Sequence, residues 1–161
     1  MLYSICLRTA NTTLTNSLLE INTVANVGCK IYEIGISNTA TTACIIALGN
    51  PSTASITPTL LTNGWTPAQA TASGFCAEQD TGAPVAKTQV AVAWGTVATI
   101  ANPLTTPMYR RAVIQPQIQA GVIWEFPKGL FLPPNSVGIN ALCLFNCLSG
   151  VALDVWIVID E

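Results

Sequence analysis

The sequence predicts an all-β domain, a single jelly-roll β-sandwich over residues 1–161, with an immunoglobulin-like sandwich as the other arrangement open to the same strands. Three observations predict it. Short runs rich in Val, Ile, Trp and Phe recur along the chain, each bounded by Pro, Gly or Asn. Within several runs apolar residues alternate with period two, and no stretch shows the spacing of an amphipathic helix. About eight or more such runs occur without an internal repeat, broken by one long Pro/Thr/Ala-rich connection at about 51–87, which suits a jelly roll.

Met1–Arg8 reads as the first strand, with Ile5 and Leu7 on one face and Cys6 on the other. Thr9–Asn26, rich in Thr and Asn around Leu14, Leu18, Leu19 and Ile21, reads as a loop or irregular strand. Its Asn11-Thr12-Thr13 triplet matches a glycosylation acceptor by chance, since no basic and apolar export signal is evident before it. Cys29–Ser37 is a strand with Tyr32, Ile34 and Ile36 along one face. Thr41–Leu48 follows closely enough to be its hairpin partner across Asn38–Ala40.

Between Pro51 and Lys87 the character changes to Pro, Gly, Ser and Thr. A loop of that length is ordinarily functional or disordered. Ile56, Leu60, Leu61, Trp65 and Phe75 argue against disorder. Two readings fit: the segment inserts into a neighbour, or Trp65 and Phe75 cap their own core. Thr88–Trp94 is a strand with Val90, Val92 and Trp94 on one face and Gln89, Ala91 and Ala93 on the other. Gly95–Pro107 is a second loop. Tyr109–Gln115 and Gly121–Phe126 are strands, and Pro127-Lys128-Gly129 bends the latter into Leu130–Leu132. Val137–Phe145 is apolar on both faces, as in a central strand covered twice. In the last strand Leu153, Val155, Ile157 and Ile159 face one way, Asp154, Trp156 and Asp160 the other.

Composition narrows the function. Hydrophobic residues make up 50% and charged residues only 9%, against roughly 25% in an ordinary globular chain. Apolar runs are far shorter than the ~18 residues of a spanning helix, so no membrane partner is expected. A surface of small neutral side chains suits permanent contact with other subunits; a well-hydrated monomer is the other reading. Net charge is −2, and of the six basic residues only Arg110 and Arg111 are adjacent, so nucleic acid is not an expected partner. The six cysteines match no metal-ligand spacing and are expected to be reduced, buried small hydrophobes.

No enzyme is expected. The chain has no histidine, the commonest general base and metal ligand. Of its eight carboxylates, Glu78 and Asp80 lie close together on the long loop and Asp160 and Glu161 are adjacent, while the others are scattered singly; they read as solvated or ion-paired, and a glycosidase-type pair from distant positions, for instance Glu78 or Glu125, is the competing reading. No phosphate-binding glycine loop or nucleophile motif occurs, so neither catalytic, metal nor cofactor-binding residues are assigned.

The runs KIYEIGISNTATTA, AVAWGT and YRRAVIQPQIQAGVIWEFPKGLFLPPNS, with the closing ALDVWIVIDE, resemble a family of small proteins of tailed phages and prophages. The resemblance implies a jelly-roll decoration (cement) protein that trimerises and braces the outer surface of an icosahedral head, made in the host cytoplasm. Its partners would be itself and the major capsid protein. Leu60, Leu61, Trp65 and Phe75 are the expected contact residues, because aromatics in an uncharged loop fit interface cores. Arg110 and Arg111 are expected either to meet acidic groups of a neighbour or to be a solvated strand edge. The alternative function is a glycan- or receptor-binding module of a head fibre or tail, with Trp65, Tyr109 and Trp156 as its platform.

Overall fold

The computed structural model describes residues 1–10, 12–61, 76–77, 86–102, 104–148 and 150–161, of which 76–77 by their backbone. Eleven strands are described: β1 (Leu2–Arg8), β2 (Ser17–Asn22), β3 (Cys29–Asn38), β4 (Cys44–Gly49), β5 (Ile56–Leu60), β6 (Cys76–Ala77), β7 (Gln89–Thr96), β8 (Arg110–Ile114), β9 (Gly121–Leu132), β10 (Leu142–Asn146) and β11 (Leu153–Asp160). One sheet has the long strands β1-β11-β3-β9, extended beyond β1 by the two-residue β6. The other runs β5-β7-β2-β10-β4-β8. All their pairings are antiparallel.

Setting aside β5, β6 and β7, the eight remaining strands lie in the orders first-eighth-third-sixth and second-seventh-fourth-fifth. That is the jelly roll, not the immunoglobulin arrangement, in which the first strand pairs with the second. Of the consecutive strands in this set, only β4 and β8 share a sheet; every other connection crosses the sandwich. The expected β3–β4 hairpin is therefore absent: β3 pairs with β11 and β9, β4 with β10 and β8. Asn38 turns that corner, its amide donating to Thr42 O (2.8 Å) and Gln115 O (3.1 Å) while its Oδ1 accepts from Ala40 N. A side chain thus supplies partners for backbone groups that have left one ladder and not yet joined the next.

The main core lies between the sheets. It holds Ile5 of β1, Leu19 and Ile21 of β2, Ile31, Ile34 and Ile36 of β3, Ile46 and Leu48 of β4, and Leu153, Val155, Ile157 and Ile159 of β11. The alternation expected of the last strand is seen residue by residue. In β3 the expected face is half right. A bulge at Tyr32 leaves that ring half-buried and turns Ile31 inward with Ile34 and Ile36. An extra residue on one strand inverts the face of every residue beyond it.

A second core lies outside the six-stranded sheet. Ala98, Ile100 and Met108, from the segment between β7 and β8, cover Ala47 of β4 and Cys143 and Phe145 of β10. The covering segment is bonded down: Ser17 N donates to Ala98 O (2.9 Å) and Ile100 N to Thr15 O (3.1 Å). This double cover explains why every residue of β10 and β2 is buried. Of the loop or irregular strand expected over Thr9–Asn26, Ser17–Asn22 is the strand: β2 shows no alternation because neither of its faces is wet. The strand expected from Val137 begins at Leu142, because Gly138–Asn140 form a 3-10 turn. Part of the expected 51–87 loop is β5, which pairs with β7. Among the described residues no helix is long and apolar enough to cross a membrane.

Of the cysteines, Cys29, Cys44, Cys143 and Cys147 are buried and free, as expected, whereas Cys6 is exposed on the outer side of β1. Burial pushes the thiols of Cys29 and Cys44 up to about 11 and raises those of Cys143 and Cys147.

Candidate functional site

The two sheets end side by side at β8 and β9, and the gap between these edge strands is a groove of two clefts. One, of about 390 Å³, is lined by Asn50, Tyr109, Phe131, Pro133, Pro134 and Asn140 among others. The other, of about 440 Å³, is lined by Tyr109, Arg110, Phe126, Pro127, Lys128 and Gly129 with Leu130. Tyr109 and Leu130 border both.

The groove exists because β9 leaves its ladder there. Glu125 pairs with Glu33 and Leu130 with Ile31, so Phe126–Gly129 stand against the single residue Tyr32. Pro127 has no N–H to give to a ladder, and Gly129 adopts φ +74°, which side chains disfavour. A Cβ at Gly129 would also lie 2.9 Å from Lys30 Cβ. The Pro-Lys-Gly bend expected from the sequence is thus a wide bulge within β9.

Tyr109 is half exposed yet fixed at both ends. Its N–H donates to Leu48 O (2.8 Å) and its hydroxyl to Asn50 Oδ1 (2.8 Å). Asn50 is itself held, its Nδ2 donating to Ala141 O (2.8 Å) and Asn140 O (3.2 Å). Beside it the Arg110 guanidinium lies 5.0 Å from the centroid of the Phe126 ring and donates from Nη1 to Tyr109 O (3.0 Å). Cation and ring attract through the ring quadrupole.

The adjacent arginines have different surroundings because successive strand residues face opposite ways. Arg110 pairs in register with Leu48 and Arg111 with Ala47, so Arg110 sits at the mouth of the main core and Arg111 on the outer side. There Arg111 Nη1 donates to Leu104 O (2.7 Å), holding the segment that covers the second core. Leu61 packs against the main core, its N–H donating to Val90 O (2.8 Å), and Leu60 is half-buried at the end of β5. Trp65 and Phe75, like Glu78 and Asp80, lie outside the described residues.

Of the platform expected from Trp65, Tyr109 and Trp156, Trp65 lies outside the described residues and the other two are not brought together. Tyr109 borders the groove, whereas Trp156 lies on the outer face of the other sheet, its ring over Gly35 and its Nε1 donating to Glu33. Glu33 and Glu125 are cross-strand partners on that face, a pairing of carboxylates that the sequence did not reveal. They border a shallow depression with Tyr32, Phe126, Pro127 and Val158. Among the described residues no three His, Cys, Asp or Glu side chains gather to hold a metal ion.

Glu20 corrects the reading of the carboxylates as solvated or ion-paired. It is 1% exposed and accepts from Trp94 Nε1 (2.9 Å) and Asn22 Nδ2 (2.9 Å). The signal was its place in Leu18-Leu19-Glu20-Ile21, apolar on either side. Asp154 is ion-paired as expected: Arg8 donates from Nε (2.7 Å) and Nη2 (2.8 Å), and this bond holds the Asp154 carboxyl below its ordinary pKa.

The fold and groove define a jelly-roll protein whose described surface offers contact geometry, aromatic rings, amides and two cations around a cleft. No family model, no curated protein and no solved structure matches the chain.

Proposed function

We propose that this chain is a structural protein of a phage particle, which binds the outer surface of a head as a trimer and stabilises the capsid. The observation that carries the reading is the jelly-roll strand order, an architecture used repeatedly in virion and lectin domains. Surface chemistry supports it. Val113, Ile118, Ile123, Phe131, Val137 and Ile139 are all exposed, in a chain with only 9% charged residues. Of these, Phe131 and Ile139 border one cleft, and exposed apolar residues that adjoin mark contact surfaces. In this reading Leu60, Trp65 and Phe75 meet a neighbour, while Leu61 anchors the start of their segment to the core and Arg111 holds the covering segment in place. Symmetry then lets several weak contacts act together on each site.

Purified protein mixed with undecorated heads tests this. Co-sedimentation and a raised head melting temperature are expected, with light scattering reporting a trimer. Protein that neither pellets with the heads nor protects them removes the proposal. Trp65→Ala is expected to weaken head binding without unfolding the sandwich; unchanged binding would remove that residue's part in it.

A further inference from the structure

We propose that the groove between β8 and β9 is a binding site for an acidic oligosaccharide, a site that stands whether or not the protein sits on a capsid. The shape asks for an extended ligand. Two clefts of about 390 and 440 Å³ share Tyr109 and Leu130 as a ridge, so a chain of sugar rings can cross from one to the other.

Each cleft offers different chemistry. The first is lined by the rings of Tyr109 and Phe131, which are 50% and 58% exposed, beside exposed Asn135 and Asn140. No intramolecular bond from the Asn135 or Asn140 side chain occurs among the described residues. Aromatic faces take the apolar side of a sugar ring, and amides exchange hydrogen bonds with neighbouring hydroxyls. The tether from Tyr109 to Asn50 fixes the ring in advance and lowers the entropy lost on binding.

The second cleft carries Arg110 and Lys128 and no carboxylate. Among the described residues the ion pairs are Met1 with Asp160 and Arg8 with Asp154, so neither groove cation is neutralised. In a chain of net charge −2, Arg110 over the Phe126 ring and Lys128 lining the same cleft complement an anionic group. Arg110 gives Nη1 to Tyr109 O and keeps Nε and Nη2 for a carboxylate, which a guanidinium can bind with two parallel hydrogen bonds.

An extended acidic peptide is the other ligand of similar charge, and the backbone argues against it. Peptides add to sheet edges through a regular row of main-chain bonds. Here the edge of β9 is broken by the bulge at Phe126–Gly129, with Pro127 lacking a donor. Bulges and proline are devices that protect edges from strand addition.

The test uses the full chain with tetramers of galacturonic acid, glucuronic acid and α2,8-linked sialic acid, with neutral cellotetraose as control, followed by NMR titration and calorimetry. At least one acidic tetramer is expected to bind more tightly than cellotetraose, with shifts confined to Tyr109, Phe131, Arg110 and Lys128, and to weaken as salt rises. Arg110→Gln should cost about tenfold for the acidic tetramer and little for the neutral one, roughly the loss of one charge-assisted contact. Tyr109→Phe, which keeps the ring and removes only the tether, should cost a few-fold. Lys87→Gln, away from the groove, should change nothing. Melting curves show which variants are folded. The proposal is overturned if no acidic tetramer binds at millimolar concentration, if Arg110→Gln binds like wild type, or if an oligo-glutamate peptide binds the groove more tightly than every acidic tetramer.

Discussion

The outer faces of the two sheets are built on opposite plans. That of the six-stranded sheet is roofed over β4 and β10 by Ala98, Ile100 and Met108, so Ala47, Cys143 and Phe145 are as buried as the main core. Among the described residues no segment covers that of the other sheet, here the open face. Across its strands run Arg8 and Asp154, then Cys6, Trp156, Gly35 and Ile123, then Ser4, Val158, Glu33 and Glu125. One sheet therefore contributes stability on two sides, and the other leaves a side free for contact. Burial on a second face roughly doubles the apolar area a strand removes from water, so the roofed sheet is the natural frame for the groove at β8. The open face carries the exposed rings and charges that a partner would meet.

The largest effect should come from breaking the roofed face. Phe145 is fully buried in the second core, and Phe145→Ala should cost about 3–5 kcal/mol in urea unfolding. Ile123→Ala on the open face, where the side chain is 55% exposed, should stay within about 0.5 kcal/mol. Equal losses from the two would mean that the open face is covered in solution, as self-association would cause.

Gly35 tests a tight contact on the open face. A Cβ there would fall 1.8 Å from the Trp156 ring, so Gly35→Ala must push the indole off the sheet and away from Glu33. About 1–2 kcal/mol of stability should be lost, with a red shift in tryptophan emission as the ring meets water. A variant with wild-type emission would show that Trp156 does not depend on the glycine for its seat.

The smallest effect belongs to Arg8 and Asp154, an exposed pair. Because the bond to Arg8 lowers the Asp154 pKa in the folded state, its contribution is present above the unfolded aspartate value of about 3.9 and fades as pH falls through the lower folded value. Arg8→Gln should therefore be slightly less stable than wild type at neutral pH, and the gap should close in acid. Salt should shrink it too. A gap that persists at low pH would assign the loss to the arginine's packing instead of its charge.

How much of the molecule was legible depended on whether a strand had one wet face or none. In β11 the alternation of Leu153, Val155, Ile157 and Ile159 with Asp154, Trp156 and Asp160 states its orientation outright. In β10 the unbroken apolar run states burial on both sides. In β2, Ser17, Glu20 and Asn22 interrupt the same kind of run, and their burial becomes visible only once Trp94 donates to Glu20, Asn22 donates to Glu20 and Ala98 O accepts the Ser17 N–H. Of the groove, Arg110 and Tyr109 were singled out from sequence as contact residues, but Asn50, Phe126, Lys128 and Phe131 were not. The groove's residues come from three separate stretches, at Asn50, Tyr109–Arg110 and Phe126–Phe131, and nothing in their local patterns links them.

The sequence by itself determined the all-β character, most strand positions and the scarcity of charge, because these arise from period-two patterning and turn residues that act over a few positions. Tertiary structure alone decided which strands share a sheet, which face each bulge turns inward, and where the two edges meet. Strand pairing joins residues as distant as Leu2 and Asp160, and one extra residue at Tyr32 inverts a face. Such pairings are settled by the burial of the whole sandwich, so they leave no mark on any short stretch of the chain.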